Sequence, residues 1–184
     1  MNIWHDISPE RIGKDRFYAV IEISKGGKNK YELDKETGML KLDRVLFTST
    51  HYPANYGFIP RTYASDNDPL DVLVLCSEQI QPMTIVECKP IGVLIMEDGG
   101  ARDEKIIAVP VNDPNYSCFE NIDQLPSHYF EEIRHFFEVY KTLENDKSTS
   151  VTEVDDCEVA KAIIDNCMKE YNKQFEKRFY FKNV

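Results

Sequence analysis

The chain has 184 residues, 32 Asp and Glu against 22 Lys and Arg, and a net charge of −10. With 42% hydrophobic and 29% charged residues it has the composition of a soluble globular protein, long enough for one sizeable core. That charge argues against nucleic acid as the main partner, because a phosphate backbone needs a basic face. Five cysteines (Cys76, Cys88, Cys118, Cys157, Cys167) without a CxxC pair argue against structural zinc and for reduced thiols. Met1 to Asp6 lacks the basic start and apolar stretch of a signal peptide, and no apolar run approaches the ~18 residues of a membrane span. The expectation is a cytoplasmic protein with no membrane partner.

In chain order, Phe17 to Ile23 alternates as a strand, Gly26-Gly27 interrupts, and Lys30 to Leu33 forms a second strand. Asp34 to Gly38 reads as a turn before Met39 to Leu42. His51 to Pro60, rich in aromatics and broken by Pro and Gly, reads as an ordered loop. Val72 to Cys76, Ile85 to Cys88, Ile91 to Met96 and Ile106 to Val111 are short apolar runs, whose spacing suggests a closed or partly closed barrel. The period then changes. Phe130, Ile133, Phe136, Phe137 and Tyr140 mark an amphipathic helix entered through Asp123 to Pro126. A second helix is predicted from about Asp155, with Val159, Ile163, Cys167, Tyr171 and Phe175 as its stripe. With no internal repeat or linker, 1–184 reads as a single α+β domain.

The densest chemistry lies in Asp66-Asn67-Asp68-Pro69-Leu70-Asp71, followed by the strand run Val72 to Leu75. In an extended segment Asp66 and Asp68 would share a face. Three carboxylates so close repel one another unless a cation lies between them. An oxygen-only donor set suits a hard divalent ion, Mg²⁺ or Mn²⁺ first. A calcium EF-hand is excluded, since its fifth, sixth and twelfth places hold Leu70, Asp71 and Ser77. The loop from Met96 to Lys105 adds Asp98, Asp103 and Lys105 from another pair of strand ends. Glu22 stands between two isoleucines, and Lys30 and Glu32 share one face of their strand, where simple solvation is the bland alternative. Glu132-x-x-His135 matches half of a di-iron motif and lacks the other half.

Taken together, these segments resemble the family I soluble inorganic pyrophosphatases, specifically their compact bacterial-type members. That family's Asp-x-Asp-Pro-x-Asp followed by an apolar strand is matched by Asp66 to Asp71. The similarity runs from about Glu22 to Lys141 through Lys30-Tyr31-Glu32, Asp43-Arg44, Tyr52 to Gly57 and Asp98 to Lys105, in order. The resemblance implies a small five-stranded OB-like β-barrel flanked by two main C-terminal helices. It implies hydrolysis of inorganic pyrophosphate to two orthophosphates with several Mg²⁺ ions, Mn²⁺ or Zn²⁺ being possible substitutes. Carried over by position, Asp66, Asp71 and Asp103 are the main metal ligands, and Asp98, Glu22 and Glu32 complete the shell. Asp68 takes the proton of a metal-bound water, and Lys30, Arg44, Tyr56, Lys105, Tyr140 and Lys141 hold phosphoryl oxygens. A homohexamer is the assembly it implies. Gly99 departs from the acidic residue common at that place, the segment from Ser148 to Val151 lacks a tryptophan, and the tail from Phe179 to Val184 has no counterpart.

Two other functions fit parts of the pattern. A metal-dependent phosphohydrolase acting on nucleotides or phosphate esters would share the carboxylates but needs a base-binding pocket. A non-enzymatic OB-type module for single strands needs a basic groove with stacking aromatics, which the net charge opposes.

Overall fold

In the computed structural model, residues 2–144 and 149–180 are described, 176–180 by backbone alone. Eight strands alternate with turns: β1 (Phe17–Ile23), β2 (Asn29–Leu33), β3 (Leu40–Val45), β4 (Asn55–Ile59), β5 (Leu70–Val74), β6 (Ile85–Asp98), β7 (Ala101–Pro110) and β8 (Thr149–Asp156). Three helices join them: α1 (Ile3–Asp6), α2 (Ser127–Val139) and α3 (Cys157–Tyr180). The large sheet runs β1-β4-β5-β7-β6-β8, and β6 also pairs back onto β1. That second pairing closes β1, β4, β5, β7 and β6 into the expected five-stranded ring, with β8 outside it. Among the described residues, β5 and β7 are the one parallel pair in this sheet. β2 and β3 form a separate hairpin.

β6 is long because two apolar runs, Ile85–Cys88 and Ile91–Met96, fuse across Pro90. A proline lacks the ladder N–H and reads as a strand end. Here it lies at a register shift between Pro90 and Gly92, where the missing donor is tolerated. The first part of the strand then pairs with β1 and the later part with β8, while β7 follows both. Gly99 and Gly100 turn the β6–β7 hairpin with φ of +59° and +84°. Such paired positive φ values suit a tight two-residue turn and cost glycine little.

The stretch expected as an ordered loop contains β4. Gly57 explains why: a Cβ there would sit 1.8 Å from the Val20 carbonyl oxygen, so only glycine lets β4 cross β1 this closely. At that crossing β1 bulges between Ile21 and Ile23, leaving Glu22 as the extra residue.

Apolar side chains fill the ring and the space between it and the helices. Ile133, Phe136, Phe137 and Tyr140 of the predicted α2 stripe are buried, and Phe136 packs 4.8 Å from the Tyr52 ring. Each such ring removed from water contributes roughly 1.5–3 kcal/mol. α3 begins at Cys157, not Asp155, because β8 occupies Thr149–Asp156. The Asp156 carboxylate caps the helix, accepting the N–H groups of Glu158 and Val159 at 2.9 and 3.0 Å. Its buried face is Ala160, Ile164, Cys167 and Tyr171. Steps of strictly four residues drift around a 3.6-residue helix, so Val159 and Ile163 fall to the half-buried flank. Glu132 and His135 are exposed on α2, and Glu132 lies 3.6 Å from His128 one turn earlier. Residues 145–148 and 181–184, including the end of the aromatic tail, lie outside the described residues. Among the described residues no helix is long and apolar enough to cross a membrane.

Candidate active site

One cleft, about 260 Å³ in volume, collects side chains from six strands, the loop before β5 and the end of α2. β1 supplies Glu22, β2 supplies Lys30 and Glu32, and β4 supplies Tyr56. β5 supplies Asp71, β6 supplies Asp98, and β7 supplies Asp103 and Lys105. Tyr140 and Lys141 reach it from the C-terminal end of α2, and Asp66 and Asp68 from the loop before β5. Every predicted site residue except Arg44 lines this cleft.

The loop carrying Asp66 and Asp68 is a turn, so extended alternation is not what places the two carboxylates together. Asn67 has φ +70°, a left-handed conformation that Asn tolerates better than most residues. The Asp66 carboxylate accepts the Asp68 N–H at 3.0 Å, and Ala64 N–H donates to the Asp68 carbonyl at 2.8 Å. Both carboxylates still face the cleft, now by loop geometry and not by strand alternation.

Lys105 sits at its centre, 3% exposed. Parallel pairing places it beside Asp71 in the β5–β7 register, and the strand repeat puts Asp103 on its own face. Its ammonium donates to Asp71 at 2.7 Å, to both Asp103 oxygens at 2.9 and 3.0 Å, and to the Tyr56 hydroxyl at 3.2 Å. Burial works against its charge, but Asp71 and then Asp103 outweigh burial and hold its pKa well above the usual lysine value. The carboxylates feel the crowding in the opposite sense. Burial, followed by Asp71, lifts Glu22 to about 8, while its oxygen accepts the Leu33 N–H at 2.7 Å and ties the β2–β3 hairpin to β1. Asp103 is raised by burial and Asp71 although Lys105 pulls it down. Asp66 is exposed at the rim, yet its cleft side is desolvated enough, with Asp71, Asp68 and Asp103 nearby, to raise it too. Burial also pushes the Tyr56 and Tyr140 hydroxyls up, so both stay neutral hydrogen-bond donors near pH 7.

Seven carboxylates therefore share the cleft with four lysines: Glu22, Glu32, Asp66, Asp68, Asp71, Asp98 and Asp103 against Lys30, Lys35, Lys105 and Lys141. Lys141 pairs with Asp98, Lys30 with Glu32 and Asp43, and Lys35 with Asp68. Among the described residues no three carboxylate, imidazole or thiol groups converge as a ready-made metal cage, because amines stand between the carboxylates. The donor set is nonetheless all oxygen, crowded enough that several carboxyls resist ionisation, which is the chemistry of a site for hard divalent cations.

A family model described as inorganic pyrophosphatase matches residues 19–172. The chain belongs to the inorganic pyrophosphatase family. It is 43% identical over 175 residues to an inorganic pyrophosphatase of Haloferax volcanii, covering 95% of this chain and 99% of that one. A solved inorganic pyrophosphatase from Helicobacter pylori superposes with a TM-score of 0.87 at 43% identity, covering 91% of this chain and 99% of that one. The Thermus thermophilus structure gives 0.86 at 38% identity, with 94% and 99% covered. These matches support neither a nucleotide hydrolase nor an OB-type binding module.

Within this pyrophosphatase, Arg44 stands beside the cleft. Its Nε donates to Glu144 at 2.7 Å and its Nη1 to Asp43 at 2.5 Å, while Nη2 is buried without a hydrogen-bond partner. An orphan guanidinium nitrogen is a costly feature that an incoming anion would satisfy. Sequence reasoning missed Lys35, which lies in the segment read only as a turn, and Glu144, which holds Arg44 from 100 residues away in the chain. Nothing in the local spacing of either residue signals the contact.

Proposed function

We propose that this pyrophosphatase hydrolyses inorganic pyrophosphate to two orthophosphates in the cleft around Lys105, using divalent cations, Mg²⁺ first and Mn²⁺ or Zn²⁺ as substitutes. The observation that carries the reading is the interleaving of seven carboxylates with four lysines and the phenols of Tyr56 and Tyr140 in one cleft. An anionic substrate would be repelled by the carboxylates alone and held too tightly by lysines alone. Asp66, Asp71 and Asp103 would hold the cations, with Asp98, Glu22 and Glu32 completing the shell. Divalent cations held there would supply neutralisation of phosphate charge and a lowered pKa for water.

The chain's own groups do the rest. Asp68 is half-exposed at the mouth and accepts the proton of the attacking water. Lys105 and Lys141 exchange carboxylate partners for phosphoryl oxygens. Lys30 and Arg44 add positive charge, Arg44 through a planar fork. Tyr56 and Tyr140 donate hydrogen bonds without adding charge. Charge stabilisation and alignment of this kind account for most of the catalysis expected in phosphoryl transfer.

Phosphate release from pyrophosphate tests the reading. Turnover is expected with Mg²⁺ and not with EDTA, and Asp68→Asn should lower kcat about 100-fold or more with the fold retained by circular dichroism. A wild-type protein inactive with Mg²⁺, Mn²⁺ and Zn²⁺ alike overturns it. We further propose that 1–184 acts as one domain and assembles as a cytoplasmic homohexamer. Four large apolar side chains, Met39, Leu42, Val45 and Phe47, lie exposed along and beside β3, a pattern that favours association. A monomeric mass by light scattering would refute the assembly.

A further inference from the structure

The loop that carries Asp68 is gripped from outside the cleft. Trp4 of α1 is 4% exposed, its indole N–H donates to the Thr62 carbonyl at 2.9 Å, and its own carbonyl accepts the Arg61 N–H at 3.0 Å. Its ring stacks on Tyr63, 6.4 Å between centroids, and the Tyr63 hydroxyl donates to the Asn67 side chain at 2.6 Å. Lys35 approaches the same loop from the other side. Its ammonium reaches the Asn67 carbonyl at 3.4 Å, pairs with Asp68 and lies 5.8 Å from the Trp4 ring centroid. Its backbone is fixed as well, since the Asn2 side-chain amide donates to the Lys35 carbonyl at 2.9 Å. The anchoring residues Asn2 and Trp4 precede residue 19, where the family match begins.

The contact between Lys35 and Asp68 does little for stability. The Lys35–Asp68 pair is half open to solvent, 50% and 46% exposed, and such pairs contribute almost nothing to folding. It does fix a direction. A carboxylate on an irregular loop has several rotamers, and an error of about 1 Å in a reacting group costs up to about 100-fold in rate.

We propose that Lys35 is a positioning residue for Asp68, set in place by the N-terminal segment Asn2–Asp6. The proposal rests on Asp68 acting as the base. Lys35 aims one oxygen of Asp68 into the cleft, Asn2 and Trp4 hold Lys35, and Tyr63 holds the Asn67 corner of the loop.

Steady-state pyrophosphate hydrolysis with Mg²⁺ provides the test. Lys35→Met should lower kcat about 10-fold, with KM changed less than about twofold and the melting temperature within about 2 °C of wild type. Lys35→Arg should recover most of the loss. In an Asp68→Asn background, Lys35→Met should change kcat by less than about twofold, because nothing remains to aim. Asn2→Asp keeps the oxygen that caps α1 and removes the amide donor to Lys35, so it should lower kcat about threefold. A full additive loss in the Asp68→Asn background overturns the proposal, as does a rise in KM at unchanged kcat, which would mean that Lys35 touches substrate. An Asp68→Asn enzyme with undiminished kcat overturns the base assignment, and the brace falls with it. A crippled Asp68→Asn beside an unaffected Lys35→Met overturns the brace alone.

Discussion

Lys105→Met keeps the stem of the side chain and removes the charge on which the centre of the cleft depends. Lys105 is almost fully buried and neutralises Asp71 and Asp103 together. Removing one partner of a buried ion pair costs about 3–5 kcal/mol, because the remaining charges are left uncompensated. In a chain of this size each kcal/mol moves the melting temperature about 2–4 °C, so metal-free Lys105→Met should melt roughly 6–20 °C lower. The loss should depend on pH with a definite sign. Asp103 already has a folded pKa above its ordinary value, and losing Lys105 drives it further up. A carboxyl raised in the folded state gives stability that is fully present below the unfolded value near 3.9 and lost as pH rises through the folded one. The deficit should therefore be largest near pH 8 and shrink towards pH 5. Added Mg²⁺ should raise the melting temperature of the variant more than that of wild type, since a cation replaces the missing charge. Thermal melts in EDTA and in Mg²⁺ across this range would decide the matter. Equal melting temperatures in EDTA at pH 7.5, or a deficit that grows on acidification, would refute the reasoning.

Three further outcomes follow from single positions. Gly57→Ala forces a Cβ to 1.8 Å from the Val20 carbonyl, so β1 and β4 must part. A loss above about 4 kcal/mol or outright insolubility is expected, and a soluble variant melting near wild type would contradict the close crossing. Glu22, raised to about 8, should cost the metal-free protein stability as pH climbs from about 4.5 to 8. Glu22→Gln should flatten that slope in urea titrations with EDTA, and an unchanged slope would show that Glu22 is not the cause. Asp113 accepts the Ser77 N–H, the Ser77 hydroxyl and the Asn115 N–H at 2.7, 2.8 and 2.9 Å, and these bonds outweigh its burial and hold it down at about 2. Asp113→Ala should cost about 2–3 kcal/mol at pH 7, with the gap to wild type closing as pH falls from about 3.9 towards 2. A gap in denaturant stability that stays constant over that interval would remove the ionised carboxylate from the explanation.

Much of the ring was legible because its strands are short apolar runs bounded by Pro, Gly or charge, and α2 because its stripe repeats at three and four residues. The candidate residues that meet in the cleft stood out for a different reason: each belongs to a short ordered motif whose chemistry is unusual in a strand or turn. What escaped the sequence depends on contacts between distant segments. β4 looked like a loop because its Gly57 is required by β1, which lies more than thirty residues earlier. β8 looked like the approach to a helix because, in Thr149–Asp156, only Val151 is buried, as suits an edge strand made polar against misplaced pairing. Glu22 stood out by alternation, but burial at a bulge, and not solvation of an outer face, is what makes it unusual. Lys35 carries no local signal at all, since its partners Asn2, Trp4 and Asp68 come from both sides of it in the chain.

The closure of the ring also dictates when the protein can fold during its own synthesis. β1 must wait for Ile85–Cys88 of β6, and β5 must wait for its parallel partner β7, which ends at Pro110. At ribosomal speeds of about 5–20 residues per second, the stretch from the end of β5 to the end of β7 takes roughly two to seven seconds to appear. Over that interval the Val72 to Leu75 run of a nascent chain has an unpaired strand edge and no roof. Such an edge is a template for intermolecular pairing. The same long-range seams that bring seven carboxylates to one cleft thus leave a hydrophobic strand edge unpaired until the last of the ring has been made.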